Sequence, residues 1–419
     1  MSATAPSAPA ADVDLDTDIA IVGGGMVGAS LAAGLAGSSR RVLLIESVPY
    51  GAAAQPSFDE RTTALGNASR RIFEGLGVWP AIAPQAAPIR VIHVSEQGRF
   101  GIARLVATEQ GVEALGYVVP NRAIGAALWA RLRSLPELTL RVPACLGSVD
   151  IAPTGVRLEI VDATGRCERI AARLVVAADG AHSQIRTAAA IATTTENYEQ
   201  LAVVANVATD RGAEGIAYER FTPTGPLAVL PLTGGSLAVI WACSPERAGQ
   251  LLAMDEHAYL AQLQAHFGWR AGCFLRAARL GSYPLQLTRA SAAAGVRTVL
   301  IGNASQALHP VAGQGFNLGL RDAAMLAEAI ANDSGDPGDP RLLARFAAWR
   351  AQDRSGVVRF TDSLVRLFGD TRPGVALLRN LGLLMFDLAP PAKSALARVS
   401  AGFGGPAPRL ARGLPVRRV

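Results

Sequence analysis

Residues 18–46 read DIAIVGGGMVGASLAAGLAGSSRRVLLIE, and this stretch decides the fold. A short apolar strand over residues 18–22 runs into consecutive glycines, and a helix follows over residues 29–36. A second apolar strand, residues 41–45, ends at an acid, Glu46. This order predicts a parallel βαβ unit, because only a crossover helix can return the chain to the start of a neighbouring parallel strand.

The glycines have the Gly-x-Gly-x-x-Gly spacing that is typical of dinucleotide-binding turns. We expect Gly23 to form the tight turn, Gly25 to let a pyrophosphate approach, and Gly28 to let helix and strand pack closely. Glu46 lies 23 residues after Gly23, where an acid can bind the hydroxyl pair of a ribose. A purely structural glycine turn would not explain this acid, but the spacing does not separate FAD from NAD.

A second glycine-rich turn lies in residues 299–328, VLIGNASQALHPVAGQGFNLGLRDAAMLAE. Its apolar start predicts a buried strand, and residues 316–330 predict an amphipathic helix. Gly313, Gln314 and Gly315 would then stand at the helix N-terminus, where free N–H groups and the helix dipole attract anions and carbonyl oxygens. Glycine would let a flat ring lie against this backbone, because no Cβ is in the way.

A third motif, Asp179-Gly180, follows the apolar strand 174–178. A carboxylate at the carboxyl end of a buried strand can hold a ribose hydroxyl or a loop N–H, and Arg186 could meet a phosphate. An isolated Asp-Gly pair would be read as an ordinary turn. Its position between the two glycine-rich turns instead favours a cofactor role.

In this order, the three motifs resemble those of the single-component aromatic hydroxylases, the family similar to para-hydroxybenzoate hydroxylase. That family usually has Gly-Asp before the last glycine turn, whereas this chain has Gly302-Asn303. Asparagine has the same shape and keeps hydrogen-bonding capacity without the charge. The run LHPVAGQGFNLGLRD, together with EQLAVVANVAT and YERFTPTGPLAVLPL, resembles the ubiquinone-biosynthesis branch of the family.

The resemblance implies bound FAD and NAD(P)H as a transient co-substrate. It implies cofactor contacts for Arg61 and Arg122, although each could also be an ordinary arginine at the start of a helix. It places Pro310 beside the reactive edge of the flavin, although a proline there could simply make the turn rigid. The expected cofactor-binding residues are Gly23, Gly25, Gly28, Glu46, Arg61, Arg122, Asp179, Gly180, Asn303, Pro310, Gly313, Gln314, Gly315 and Asn317.

The expected fold class is α/β (α+β overall), with a Rossmann-like FAD-binding domain, an inserted antiparallel β-sheet substrate domain and C-terminal helices, as in para-hydroxybenzoate hydroxylase. Strands in residues 198–243 would form the floor of a substrate pocket. The expected divisions are a disordered tail (1–16), the FAD-binding domain (17–75, 112–188 and 285–332), the substrate domain (76–111 and 189–284), a C-terminal helical segment (333–400) and a loose tail (401–419).

Composition limits the partners of this chain of 419 residues. The net charge is +6, and Lys393 is the only lysine. This basic balance fits either ordinary solubility or attraction to an anionic membrane surface or a dinucleotide. The absence of a basic helix with interleaved aromatic residues argues against nucleic acid. Four widely spaced cysteines predict neither a metal site nor a disulfide framework, which fits a reducing cytosol.

The C-terminal stretch 375–388 is apolar but interrupted by Arg379 and Asp387, so we do not expect it to span a bilayer. It is either a helix that packs on the core or an apolar face for a membrane or a long prenyl chain. The first sixteen residues lack the basic-then-apolar order of a signal peptide. The expected location is the cytoplasm and the surface of the inner membrane.

The resemblance implies hydroxylation of a polyprenylated phenol with NAD(P)H and O2 in ubiquinone biosynthesis, with a possible biosynthetic complex as partner. The alternatives are a hydroxylase of another ring position, a hydroxylase of a soluble aromatic compound, and a flavin-holding assembly subunit with little turnover. The sequence contains no Ser/His/Asp set, metal cluster or paired-carboxylate spacing. No catalytic side chain is therefore predicted.

Overall fold

The computed structural model describes residues 16–52, 55, 59, 61–307, 313–369 and 373–417, without side chains at 279, 280, 355, 357–369, 373 and 375–377. Over these residues the chain forms two eight-stranded sheets and one three-stranded sheet. The strands are β1 (Thr17–Val22), β2 (Val42–Ile45), β3 (Thr62–Gly66), β4 (Ala87–Ile89), β5 (Val91–Glu96), β6 (Ile102–Val106), β7 (Gly116–Pro120), β8 (Leu138–Arg141), β9 (Ala144–Ala152), β10 (Gly155–Asp162), β11 (Cys167–Ala177), β12 (Thr193–Thr209), β13 (Ile216–Thr222), β14 (Gly225–Pro231), β15 (Leu237–Cys243), β16 (Phe274–Ala290), β17 (Ala294–Gly295), β18 (Thr298–Leu300) and β19 (Gln306–Ala307). The helices are α1 (Met26–Gly34), α2 (Asn67–Gly75), α3 (Trp79–Ile82), α4 (Asn121–Arg133), α5 (Gln184–Ala188), α6 (Pro245–Ala253), α7 (Glu256–Phe267), α8 (Gln314–Ala331), α9 (Pro340–Gly369), α10 (Pro373–Asp387) and α11 (Pro390–Ser400).

The first sheet has the order β17-β18-β11-β1-β2-β8, and its central pairs are parallel. Both faces are covered, because α1, α4 and α8 share one apolar core with it while the β9–β10 hairpin packs on the other face. Strands buried on both faces need continuous apolar runs, which is why β1 and β2 could be recognised in the sequence.

The register of this sheet brings the three motifs to one edge. Val22 lies opposite Ile45 and Ala177, and Ala177 lies opposite Leu300. The four parallel strands therefore end together, and the residues that follow each of them meet at the carboxyl edge. This edge is where open α/β sheets bind their ligands.

The second sheet has the order β19-β16-β12-β15-β14-β13-β5-β6. Its pairs are antiparallel except β13 with β5, because β5 enters from an earlier part of the chain. One face packs against α6 and α7 through a core that includes Trp241, Tyr259 and Phe267. The other face contributes residues to a cavity, which agrees with the predicted pocket floor.

The C-terminal part is more tightly packed than the sequence suggested. The tail 401–419 was expected to be loose. Within its described part, residues 401–417, Leu410 and Ala411 are buried in the same core as α2. Helix α10 packs on β6, and the Gly101 N–H donates to Asn380 Oδ1 at 2.9 Å. Over the described residues, none of the helices combines the length and apolarity needed to cross a membrane.

Candidate functional site: a cavity at the carboxyl edge of the parallel sheet

The turn between β1 and α1 depends on two of its glycines. Gly23 has φ +103°, and a Cβ there would lie 2.3 Å from the carbonyl oxygen of Ala178. A Cβ on Gly28 would lie 1.9 Å from the carbonyl oxygen of Gly23. Both are therefore required for the tight turn and for the close approach of helix and strand, as the spacing predicts.

Helix α1 begins after Gly25, and no side chain of the described residues caps its first N–H groups. Its first turn also contains no acidic residue. These N–H groups and the positive end of the helix dipole are therefore available to an anion such as a pyrophosphate. A contact between Gly25 and the cofactor remains a prediction.

Glu46 follows β2 and is buried, with 8% of its surface exposed. Its Oε2 accepts a hydrogen bond from Gly24 N at 2.6 Å, and its Oε1 accepts one from Val48 N at 2.8 Å. A carboxylate offers about four lone-pair sites, so acceptor capacity remains for the hydroxyl groups of a ribose. These bonds orient the carboxylate at the edge where the dinucleotide is expected.

Asp179 follows β11 and presents a carboxylate oxygen that suits an added ligand. Its Oδ2 accepts from Gln184 N at 2.8 Å, while Oδ1 is buried and has no hydrogen-bond partner within the described residues. An uncompensated buried acceptor is costly, and a hydroxyl donor from the cofactor would satisfy it. Gly180, at φ +84°, has open space where a Cβ would stand.

Arg186 connects two turns at the carboxyl edge of the sheet. Its guanidinium is buried and donates to the carbonyl oxygens of Ala181 at 2.7 Å and Ala304 at 2.9 Å. Arg186 therefore ties the Asp179-Gly180 turn to the turn over residues 302–304. Contact of Arg186 with a phosphate remains a prediction.

The second glycine-rich turn opens onto the cavity. Asn303 is exposed and lines the cavity, together with Gly313, Gln314 and Gly315. Gly313 has φ +60° and ψ +25° and precedes α8, which receives no side-chain cap from the part of the chain that the structure describes. The N-terminus of α8 thus offers backbone N–H groups there, as expected for a site that stabilises negative charge. Pro310 lies outside the described residues.

Asn317 holds this turn against its neighbours through four hydrogen bonds. Its Oδ1 accepts from Gly66 N at 2.9 Å and Ser69 Oγ at 2.6 Å. Its Nδ2 donates to the carbonyl oxygens of Ala64 at 2.8 Å and Gly313 at 2.7 Å. The side chain therefore positions β3, α2 and the glycine turn relative to one another, and direct contact with the cofactor remains a prediction.

A buried network of charged side chains, which the sequence analysis did not predict, holds the segment that includes Gly302 and Gln306. Asp322 on α8 accepts hydrogen bonds from Gly302 N and Gln306 Nε2, each at 3.0 Å, and pairs with Arg350. Arg350 also contacts Asp353 Oδ2 at 2.6 Å. The only signal in the sequence is a charged pair, Arg321-Asp322, inside an otherwise apolar helix.

Asp353 joins the second arginine of the network. Arg321 Nε lies 2.8 Å from Asp353 Oδ2, and both side chains are buried. Burial alone would raise the pKa of Asp353, but Arg321 and Arg350 outweigh it and hold that pKa below its usual range. The pKa of Asp322 is instead raised, because its burial outweighs the charge of Arg350 and the hydrogen bond from the Gly302 N–H. Each carboxylate of the network is paired with at least one arginine.

The two predicted arginines lie in different surroundings. Arg61 lines the cavity, with its Nε 2.5 Å from Asp59 Oδ2 and its guanidinium 5.7 Å from the ring centre of Tyr283. Arg122 is exposed, and its Nη1 donates to Gln85 Oε1 at 2.7 Å. It is not among the described residues that line the cavity. Cofactor contacts of both arginines remain predictions.

The cavity has a volume of about 430 Å³ and joins the glycine turn of α8 to the second sheet. Its sheet wall is mostly apolar, from residues such as Val204, Ala228 and Ile240. Burial raises the pKa of Tyr283, which also faces the cavity. Glu219 on β13 lines the cavity as well, although none of the sequence motifs includes it. The arrangement suits a flat apolar ring held against the glycine turn.

Comparisons with known proteins agree with this geometry. A family model described as FAD binding domain matches residues 16–361. Ubiquinone hydroxylase UbiL of Rhodospirillum rubrum is 36% identical over 422 residues, which cover 99% of this chain and 96% of that protein. The 3-demethoxyubiquinol 3-hydroxylase of Escherichia coli is 35% identical over 382 residues, which cover 89% and 95% of the two chains.

A solved structure shows the fold independently. The p-nitrophenol 4-monooxygenase PnpA of Pseudomonas putida superposes with a TM-score of 0.76 at 19% identity, covering 93% of this chain and 98% of that chain. The Pseudomonas aeruginosa protein pqsL, a probable FAD-dependent monooxygenase, gives a TM-score of 0.71 at 20% identity and covers 88% and 99%. The predicted fold class is confirmed.

Proposed function

Because the chain belongs to the FAD-binding family whose model matches residues 16–361, we propose a specific reaction for it, the hydroxylation of 2-polyprenyl-6-methoxyphenol to the 1,4-benzoquinol in ubiquinone biosynthesis. The chain is an FAD-dependent aromatic monooxygenase of the ubiquinone hydroxylase type. The donor is NAD(P)H, as is typical of the family, and one oxygen atom of O2 enters the ring.

One observation carries the proposal, namely the cavity that joins the glycine turn of α8 to an apolar sheet wall. A prenylated methoxyphenol is a flat, electron-rich ring with an apolar chain, and an apolar wall suits both parts. When bound, FAD accepts a hydride from NAD(P)H and activates O2 for transfer to the ring. The protein must bind the ring, exclude water and stabilise charge.

The residues of the site fit these tasks. The N-terminus of α8 would stabilise negative charge at the flavin, and the uncapped start of α1 would hold the pyrophosphate. Glu46 and the unsatisfied Asp179 Oδ1 would accept hydrogen bonds from hydroxyl groups of the cofactor. Alanine, valine and isoleucine side chains on the sheet wall would keep water from the ring.

The proposal can be tested with lipid extracts from cells that lack the gene, analysed by mass spectrometry. We expect a prenylated methoxyphenol to accumulate and ubiquinone to be lost, and re-expression to restore ubiquinone only when oxygen is supplied. Normal ubiquinone in the deletion strain would contradict the proposed substrate. It would leave the monooxygenase chemistry in place and direct the search to soluble aromatic compounds.

A second candidate is hydroxylation at another ring position of the same class of molecule. It is supported by the 35% identity to the E. coli 3-demethoxyubiquinol 3-hydroxylase. The same lipid extracts separate the two, because the deletion strain would then accumulate a demethoxy quinone instead of a methoxyphenol.

We also propose that the enzyme works in the cytoplasm and at the surface of the inner membrane, where a long prenyl chain resides. The support is one face of α10 that exposes large apolar side chains. These are Leu378, Leu381, Leu384 and Met385, and Leu388 lies directly after the helix; the five side chains are 38–70% exposed. Such a face can enter the headgroup region of a bilayer.

Flotation with anionic vesicles tests this proposal. The double variant Leu378→Asp/Leu388→Asp should float with the vesicles less than wild type does. Unchanged co-flotation of the variant would show that this face does not bind the membrane.

A further inference from the structure

Glu219 is a carboxylate that none of the sequence motifs includes, although it lines the cavity beside the glycine turn. It lies on β13, where successive side chains point to opposite faces of the sheet. Tyr218 points to the reverse face, where its ring packs on Phe267 and its hydroxyl donates to the Arg270 carbonyl at 3.3 Å. Glu219 therefore belongs to the face that forms the cavity wall.

The immediate neighbours of Glu219 are apolar. Val94 lies opposite it on β5, and Ala228 lies opposite it on β14. Within the described residues, Glu219 makes no hydrogen bond or ion pair. Burial raises its pKa to about 7, and no neighbouring charge offsets this effect.

Other titratable groups near the cavity do not compensate the carboxylate. Arg61 is paired with Asp59 and lies over Tyr283, whose own pKa is raised by burial. On the reverse face, Arg220 donates to the His266 carbonyl at 3.0 Å. Among the lining residues that the structure describes, Glu219 supplies the carboxylate. Glu219 is partly buried, and a carboxylate without a partner on a cavity wall is suited to bind a ligand.

We propose that Glu219 binds the phenolic hydroxyl of the ring substrate and accepts its proton during hydroxylation. This role rests on the proposed function, because it needs a phenol in the cavity. A phenol ordinarily has a pKa of about 10, as tyrosine does, so deprotonation near neutral pH requires a base. A base that titrates near the working pH is the most effective for this transfer.

The proton transfer fits the overall balance of the reaction. The phenolic O–H bond breaks as its proton moves to Glu219, and the electron pair left on oxygen enriches the ring. A C–O bond then forms between the para carbon and one oxygen atom of O2. The other oxygen atom leaves as water, with two electrons and one proton from NAD(P)H and a second proton from solvent. The para carbon loses its hydrogen as a proton, the new ring oxygen gains a proton through water to become a hydroxyl group, and Glu219 returns its proton to the phenolate oxygen.

The first test compares the FAD-loaded wild type with Glu219→Gln on a short-chain prenylated 2-methoxyphenol. Wild-type hydroxylation should decline as the pH falls below about 7, because Glu219 becomes protonated. Glu219→Gln should be slower by about 100-fold and lose this pH step, while its FAD content stays unchanged. Glu219→Asp should recover part of the rate and the pH step, whereas a wild-type rate and pH profile in Glu219→Gln would overturn the proposal.

A binding measurement tests the same residue without turnover. The probe is 4-nitrophenol, whose phenolate absorbs visible light. Above pH 8 the ionised Glu219 should repel the bound phenolate, so Glu219→Gln should bind it more tightly than wild type. Equal binding by the two proteins would overturn the proposal.

The control variant for both tests is Glu246→Gln, which changes an exposed glutamate in the first turn of α6. It should match wild type throughout. If wild type hydroxylates no prenylated phenol, the proposed function fails. The nitrophenolate comparison still reports whether Glu219 faces the ring site, so the two failures are distinguishable.

Discussion

Two buried or partly buried carboxylates, Asp322 below the glycine turn and Glu219 on the cavity wall, differ in what surrounds them. Asp322 pairs with Arg350 and accepts the Gly302 N–H and the Gln306 amide. Glu219 has Val94 and Ala228 beside it and no partner in the described part of the chain. A buried charge that is paired holds a turn in place. An unpaired carboxylate lowers the stability of the folded state, but its oxygens stay available to accept a hydrogen bond or a proton from a substrate.

The largest effect is expected from Asp322→Ala. This variant leaves Arg350 less compensated and frees the Gly302 N–H, so we expect a loss of about 3–5 kcal/mol in the free energy of unfolding. FAD retention should also fall, because the turn over residues 302–304 loses its anchor. Urea denaturation and the flavin content of the purified protein measure both changes, and a loss below about 1 kcal/mol would show that the network contributes little.

The opposite sign is expected from Glu219→Gln. The pKa of Glu219 is about 7 in the folded protein and 4.5 in the unfolded chain, so the native state holds the proton more tightly. The ionised carboxyl group therefore destabilises the folded state by the full amount above pH 7, by less as the pH falls from 7 to 4.5, and not at all below pH 4.5. At pH 8 the variant should be more stable than wild type by about 3 kcal/mol, and at pH 5 by about 1 kcal/mol. Thermal unfolding at the two pH values measures this, and equal stability at both would mean that Glu219 is solvated.

A smaller effect is expected at the glycine turn itself. Gly313 has φ +60°, and a Cβ there would lie 3.2 Å from the Ala64 Cβ. Gly313→Ala should cost about 1–3 kcal/mol, because an L-residue is strained in the left-handed region. Gly37→Ala is the matched comparison, since Gly37 also has positive φ but open space around it. If the two variants lose equal stability, the contact with Ala64 contributes nothing.

The smallest effect is expected from Asp150→Ala, which removes a surface ion pair with Arg157. Both side chains are more than half exposed, so the change should be below about 1 kcal/mol. Denaturation in parallel with Asp322→Ala provides the reference for the buried network. A loss similar to that of Asp322→Ala would remove the distinction between buried and exposed pairs.

The sequence predicted the carboxyl edge of the parallel sheet because each of its features is local. Gly23, Gly28, Glu46 and Asp179 each stand directly after or near an apolar strand, and parallel pairing brings such positions together. The spacing therefore predicted the parallel βαβ part of the fold. The inserted second sheet was predicted from the strands expected in residues 198–243 and from the resemblance to the aromatic hydroxylases.

The network and the cavity carboxylate could not be predicted, because both depend on tertiary contacts. Arg350 and Asp353 reach Asp322 and Arg321 from another helix, and nothing in the local pattern of α9 indicates this. Glu219 stands in an alternating strand, where a glutamate is usually interpreted as facing solvent. Only the packing of β13 against the FAD-binding part of the chain shows that its face is enclosed.

The most direct test of the central claim is hydroxylation by the purified, FAD-loaded protein under ¹⁸O2, with NAD(P)H and a short-chain prenylated 2-methoxyphenol. Mass spectrometry of the product reports the origin of the new oxygen atom. We expect a benzoquinol that carries one ¹⁸O atom on the ring, formed with matching consumption of NAD(P)H. Consumption of NAD(P)H without ring oxygen, or a product whose new oxygen comes from water, would contradict the claim.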